Sequence, residues 1–250
     1  MLGCSDFLGP MKLDTTESSF PINNLEIVYK SNHSKYYRNG MMLLGASNIL
    51  VGISPANSFF SEAKIIDILS GISNFATIIY VLIPDIIHIN NYRGLGYTEN
   101  IARRKANKDN NRVTSRLNRA IDKLKNNLRI HNITIIDWQQ SVEKNLDYHR
   151  NYSLILNRYW SNEHFQQEID SLTLEYLQAR SKVRPSRDLL LAEGVKYYLK
   201  ELALFTAMAS IFGEVPLIAY YQQLDKGIKY VEDIFGKSIS DFGLLHYRVR

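Results

Sequence analysis

Four short apolar runs, each followed by a longer stretch of helical character, constrain this chain more than any other feature. They are Asn48–Ile53, Thr77–Ile83 (TIIYVLI), Ile133–Trp138 (ITIIDW) and Val215–Tyr221, β-branched segments close to turn or loop signals. Runs so short and so apolar suit strands buried on both faces. After the first run, Ile65, Ile66, Ile68, Leu69 and Ile72 recur at helical spacing within residues 60–74. A long charged helix is expected over 97–129, helix rich in Tyr and Leu over 139–182, and another over Ser186–Phe212. Helix over 224–236 and a last strand over 242–249 complete the pattern. Strands alternating with helices imply an α/β fold, a mostly parallel sheet covered on both faces.

The 250 residues are enough for one large domain and short for two. Residues 1–40 are polar and broken by Thr15-Thr16-Glu17-Ser18-Ser19 and Pro21. They read as an N-terminal lead-in, partly extended or disordered, before a single domain over 41–250. With 45% hydrophobic and 22% charged residues, a substantial core can form without staples. Cys4 is the sole cysteine, and no Cys/His cluster has zinc-site spacing. No metal is therefore expected, and a reducing cytoplasm is. The most apolar stretch, Met41–Ile53, is too short to span a bilayer and is interrupted by Gly45, Ser47 and Asn48. The first residues lack a basic segment leading into an apolar run, so a signal peptide is not expected.

Gly52-Ile53-Ser54-Pro55-Ala56-Asn57 lies where a core strand gives way to a helix. In an open α/β sheet, ligands gather at the carboxyl ends of the strands. Gly52 allows close approach, Pro55 stiffens the turn, and the amides of the next helix suit an oxyanion. Two readings of Ser54 stand at this point: a nucleophile facing a crevice, or the N-cap of the following helix. The string G-x-S-x-A also mimics a nucleophile elbow, which raises an α/β serine hydrolase as an alternative. His131, His149, His164 and His246 are then the available bases, none in an obvious motif.

Further along, Tyr197 and Glu201 are four apart and project from one face of a helix that is largely apolar through Leu190, Ala203, Leu204 and Phe205. Such a pair could hold an α-amino group; the bland reading is a solvent-facing Glu beside Lys196 and Lys200. Tyr220 and Tyr221 end the strand that contains Leu217-Ile218-Ala219, and adjacent strand residues face opposite ways.

Net charge is +5, and its distribution is uneven. Between Arg103 and Lys125 stand nine basic residues against Asp109 and Asp122. Arg104, Lys108, Arg112, Arg116, Arg119 and Lys123 recur at steps of three or four and form one stripe about 30 Å long. Val113, Leu117, Ala120, Leu124 and Leu128 form an adjacent apolar stripe that can dock on the sheet. A solvated face normally mixes signs, and this one barely does, so the row suits a phosphate backbone. A non-catalytic RNA-binding module is a third reading.

Taken together, these segments resemble the cyclodipeptide synthase family. Leu50 through Ser61 is similar to that family's nucleophile motif, Lys196 through Phe205 to its Y-x-x-x-E helix, and Leu217-Ile218-Ala219-Tyr220 to the segment ending in its other catalytic tyrosine. The charged helix stands where the family keeps its tRNA-binding helix. The resemblance covers about residues 45–235 and implies a Rossmann-like domain similar to class I aminoacyl-tRNA synthetase catalytic domains. It also implies a reaction in which two aminoacyl-tRNAs yield a diketopiperazine through an aminoacyl-serine. Ser54, Asn57, Tyr197, Glu201 and Tyr220 would be catalytic, and Leu50, Gly52, Leu204, Phe205 and Ile218 would line an apolar amino-acid pocket. No ATP-binding HIGH or KMSKS-like signature is present, which fits a substrate already activated and no cofactor. Asn57 matches the branch with Asn three residues after the nucleophile; Tyr221 departs from it, standing where that branch has His. A monomer or weak dimer is expected.

Overall fold

All four apolar runs become neighbouring strands in the computed structural model, which describes residues 19–22, 25–29, 37–38, 41–42, 47–74, 76–128, 132–178, 186–220 and 244–249. The chain opens with β1 (Ser19–Ile22), β2 (Leu25–Tyr29), β3 (Tyr37–Arg38) and β4 (Met41–Met42). The runs follow as β5 (Ser47–Gly52), β6 (Ala76–Leu82), β7 (Ile133–Ile136) and β8 (Leu217–Tyr220), with β9 (Leu244–Val249) last. One sheet holds seven of these in the order β1-β2-β9-β8-β5-β6-β7, and β3 pairs with β4. From β9 to β7 every pairing is parallel, while β1 and β2 add to the β9 edge antiparallel. Two extended strands of the lead-in thus belong to this sheet.

Parallel strands need long crossovers, and helices supply them. They are α1 (Glu62–Ser73), α2 (Ile89–Gly94), α3 (Glu99–Leu128), α4 (Leu146–Ser161), α5 (Glu163–Gln178), α6 (Arg187–Thr206) and α7 (Met208–Phe212). Alternation along each strand sorts the core in two. On one face Ile49, Val51, Ile79, Val81, Leu217 and Ala219 pack against Ile65, Leu69 and Ile72 of α1 and Val113, Leu117, Ala120 and Leu124 of α3. On the other, Leu50, Leu82 and Ile218 meet Ile155 of α4, Phe165 and Ile169 of α5, and Leu202, Leu204 and Phe205 of α6. Each Val, Leu, Ile or Phe among them, fully withdrawn from water, contributes roughly 1.5–3 kcal/mol before chain entropy is subtracted.

The order of the strands also places the site. From β5 the chain moves to β6 and β7 on one side, then returns to lay β8 against the other side of β5. That reversal opens a crevice at the carboxyl ends of β5 and β8, the topological switch point. The chain leaves β5 directly into Ser54.

Two expected helices are each broken in two. The stretch 139–182 divides at Asn162, whose backbone is extended and whose Oδ1 accepts from the Phe165 N–H at 2.8 Å, capping α5. Asn145 does the same for α4, accepting from Tyr148, and a π-turn over Trp138–Val142 precedes it. The helix Ser186–Phe212 ends at Thr206: its carbonyl accepts from Asn151 Nδ2, and Ala207 leaves helical geometry at φ −105°, ψ 7°. Asn is a strong cap because its side chain competes with the backbone for the same hydrogen bonds. The expected helix over 224–236 lies outside the described residues. Among the described residues no helix is long and apolar enough to cross a membrane.

Candidate active site

Beyond β5 the parallel ladder continues for one more bond, Ile53 N–H to Leu82 O at 2.9 Å, and then the chain turns. Ala56 adopts φ 59°, a left-handed conformation that costs a residue with a Cβ about 1–2 kcal/mol. Strain of this kind gathers where geometry matters more than comfort. Asn57 closes the turn: its Oδ1 accepts from Phe59 N–H at 3.0 Å, and its carbonyl accepts from Phe60 N–H at 3.2 Å. The N-cap of α1 is Ser61, whose Oγ accepts from Lys64 N–H at 3.3 Å. Ser54 is therefore not the cap, and the capping reading of that residue falls. It stands half-buried, its Oγ donating to the Pro55 carbonyl at 3.3 Å.

The Ser54 side chain borders a small pocket. Leu50, Gly52, Leu204, Phe205 and Ile218, the five residues expected to line an amino-acid pocket, all form its wall, and Glu201 joins them. Ile53, Leu82 and Pro84 complete the lining. Their signal was available in the sequence, since Leu82 and Pro84 close the second apolar run at its carboxyl end.

Tyr197 takes a different place from Glu201. It is only 4% exposed and lies behind the carboxylate, its hydroxyl donating to Glu201 Oε1 at 2.8 Å. Its ring stacks on Tyr176 at 6.3 Å and meets the edge of Tyr198 at 5.9 Å, which fixes the direction of that hydroxyl. Tyr220 is the last residue of β8, two beyond Ile218 and paired in register with His246. Tyr221 lies outside the described residues. Just past Pro84, burial pushes the Asp85 carboxyl above its ordinary value, and the charges of Asp137 and Glu143 add to the rise.

The basic stripe divides. Arg104 and Lys108, with Asn100, Arg103, Asn107 and Asn111, line an open groove on the first half of α3. Arg112 is exposed close to Asp109. Past that point the cations turn toward their own chain. Arg116 Nη1 donates to the Phe60 carbonyl at 3.2 Å, while Arg119 Nε and Lys123 Nζ hold the two oxygens of Glu62 at 2.7 and 2.6 Å. Hydrogen bonds from Lys123 and Arg119 keep the Glu62 carboxyl below its ordinary value. The expectation of one unbroken row is corrected: half of it meets partners on or next to α1, which periodicity within α3 cannot reveal.

No described histidine lines the pocket. His149 is exposed and contacts the Glu143 carbonyl, and His88 is buried on the side of α2, its Nδ1 3.2 Å from Asn91 Nδ2 and its Nε2 3.7 Å from Asp109 Oδ2. The Tyr92 hydroxyl donates to the same Asp109 oxygen. Chiefly His88, then Tyr92, hold the Asp109 carboxyl below its usual value against the opposing effect of burial.

The model of the family described as Cyclodipeptide synthase matches residues 42–238. This chain belongs to that family. Solved structures share the fold. A cyclodipeptide synthase from Bacillus thermoamylovorans has a TM-score of 0.73 at 24% identity, over 91% of this chain and 97% of that one. One from Staphylococcus haemolyticus has 0.72 at 20%, over 91% and 100%. A third, from Candidatus Glomeribacter gigasporarum and bound to Phe-tRNAPhe, has 0.58 at 17%, over 82% and 89%. None of the curated proteins matches. Cyclodipeptide synthases join two aminoacyl groups from aminoacyl-tRNAs into a cyclic dipeptide, and that is the reaction of this protein. Neither the serine hydrolase nor the non-catalytic RNA module is favoured.

Proposed function

We propose that Ser54 is the nucleophile of this cyclodipeptide synthase. Its Oγ attacks the ester carbonyl of the first aminoacyl-tRNA; the ester C–O bond to the ribose breaks, the departing ribose oxygen takes the serine proton, and an aminoacyl-Ser54 remains. The vicinal ribose hydroxyl carries the proton between them. Glu201 receives the ammonium of the bound amino acid, and Tyr197 holds Glu201 in place from behind. Asn57 shapes the turn that presents Ser54, and Tyr220 serves proton transfer from the end of β8. The second aminoacyl-tRNA then donates its acyl group to the first amine, and attack of the new free amine on the Ser54 ester closes the ring and frees the serine. The observation that carries this reading is that a serine and a carboxylate from distant parts of the chain border one apolar pocket.

Leu50, Leu204, Phe205 and Ile218 suit an apolar first side chain, and Gly52 leaves room beside Ser54. The groove along the start of α3 contacts the tRNA backbone, led by Arg104, Lys108 and Arg112, while Arg116, Arg119 and Lys123 serve mainly to tie α3 to α1. Asn57 favours the branch with Asn at that place. A single Rossmann-like catalytic domain whose sheet takes in β1 and β2 of the lead-in, a monomer or weak dimer and a cytoplasmic location complete the proposal.

The test is intact mass under acid after incubation with charged tRNA. The parent and Ser61→Ala should carry an aminoacyl adduct that Ser54→Ala lacks. An adduct that survives Ser54→Ala, or no adduct and no cyclic product with any charged tRNA, overturns the assignment.

A further inference from the structure

Glu193, Tyr197 and Glu201 are spaced four apart on α6 and share one helix face. Glu193 is the least expected of them, a carboxylate only 14% exposed. Its Oε1 accepts from Arg93 Nη2 of α2 at 3.0 Å and from Lys196 Nζ at 2.9 Å, while its Oε2 is buried with no hydrogen-bond partner. Lys196 is a neighbour on the same helix and cannot locate α6 against anything else. Arg93 can, because it comes from a different element. The two helices touch beside this pair: a Cβ on Gly94 would lie 3.3 Å from the Gly194 nitrogen.

Arg93 also reaches Glu99 at the start of α3, Nη1 to Oε2 at 3.4 Å, and Glu99 pairs with Arg103. The two arms differ in weight. Arg93 and Glu99 are 40% and 46% exposed, and pairs in water contribute little. The arm to Glu193 ends on a carboxylate largely withdrawn from water, where removing Arg93 leaves the charge to the half-exposed Lys196 alone.

We propose that Arg93 is a positioning residue for the reaction: by closing the charge of Glu193 it sets the rotation of α6, and so the place of the Tyr197–Glu201 pair relative to Ser54. This rests on the proposed role of Ser54 and Glu201, and it extends that role to a side chain outside the pocket. A misplacement of about 1 Å in a reacting constellation costs up to roughly 100-fold in rate.

The experiment measures single-turnover formation of the aminoacyl-enzyme at saturating charged tRNA, with thermal midpoints on the same samples. Arg93→Ala should slow acylation by about tenfold or more with the KM for charged tRNA changed less than about threefold, the signature of lost positioning and not of lost binding. Arg93→Lys should recover part of the rate. Glu99→Ala should stay within about twofold, since its pair is exposed. Arg93→Ala/Glu193→Gln should be faster than Arg93→Ala alone, because the buried charge is gone. Arg93→Ala acylating at the parent rate, or a double variant no faster than the single one at an equal thermal midpoint, overturns the proposal. A parent that forms no Ser54 adduct would instead count against the nucleophile assignment. The stability coupling between Arg93→Ala and Glu193→Gln, read from a thermal double-mutant cycle, then still tests the pairing; additive shifts reject it.

Discussion

Gly194→Ala adds one methyl group where α5 and α6 cross, one turn before Tyr197. The new Cβ would sit 2.5 Å from Leu177 Cδ1 and 2.7 Å from Thr173 Cγ2. Carbon atoms in contact keep about 3.5–4.0 Å, so something must move by about 1 Å. The Leu177 methyl is the end of a flexible chain, but Thr173 is β-branched, fully buried and stiff at χ1. Overpacking of this kind costs about 1–3 kcal/mol, and Ala in place of Gly inside a helix returns about 1 kcal/mol. The net loss is about 0–2 kcal/mol, at most about 8 °C in thermal midpoint for a chain of this size. Activity should suffer more, because the movement falls on α6: about 10- to 100-fold in the rate of acyl transfer. Thermal denaturation beside single-turnover acylation separates the two effects. Gly194→Ala/Thr173→Ser, which removes the stiffer contact, should recover a large part of the rate. An Ala variant that acylates as fast as the parent would show that the crossing does not position the catalytic pair.

Glu62→Gln should release Arg119 and Lys123 toward solvent. Each cation that then meets a phosphate steepens the dependence of log affinity on log salt by about 0.9, so the slope for tRNA binding should grow by up to about 2; an unchanged slope would mean that neither side chain can reach the RNA. Asp109→Asn tests the cluster beneath the basic groove by its pH dependence. A carboxyl held below its ordinary value stabilises the fold above the unfolded pKa, near 3.8, and that stability is lost as pH falls through the depressed folded value. Asp109→Asn should therefore be less stable than the parent at pH 6, by roughly 1.5–3 kcal/mol from the lost charge-assisted hydrogen bonding, with the gap narrowing as the pH is taken well below 4. Urea titrations at both ends of that range check it, and a gap that is constant or widens in acid rejects the assignment.

Much of the site was legible because it obeys periodicity. Leu50 and Gly52 alternate along β5, Ile218 lies on the neighbouring strand, and Glu201, Leu204 and Phe205 follow helical spacing on α6; these local rules hold whatever the rest of the chain does. They brought out the strands and the serine turn, whereas the pocket wall was named through the resemblance to the cyclodipeptide synthases. Periodicity says which face a residue is on, not what that face meets. Whether Ser54 or Ser61 capped α1 depended on where the first helical amide fell, and the backbone turn at Ala56 decided it. Arg119 and Lys123 were indistinguishable from Arg104 and Lys108 until α1 brought Glu62 beside them. The breaks at Asn162 and Ala207 came from side chains competing with helix carbonyls and amides, a contest that summed propensity blurs. Glu193 carried no signal of its own in the sequence; the crossing of α2 and α6 buries it against Arg93. Sequence alone determined which residues could share a face; through-space packing between distant segments decided which charges found partners, and so which remained available for function.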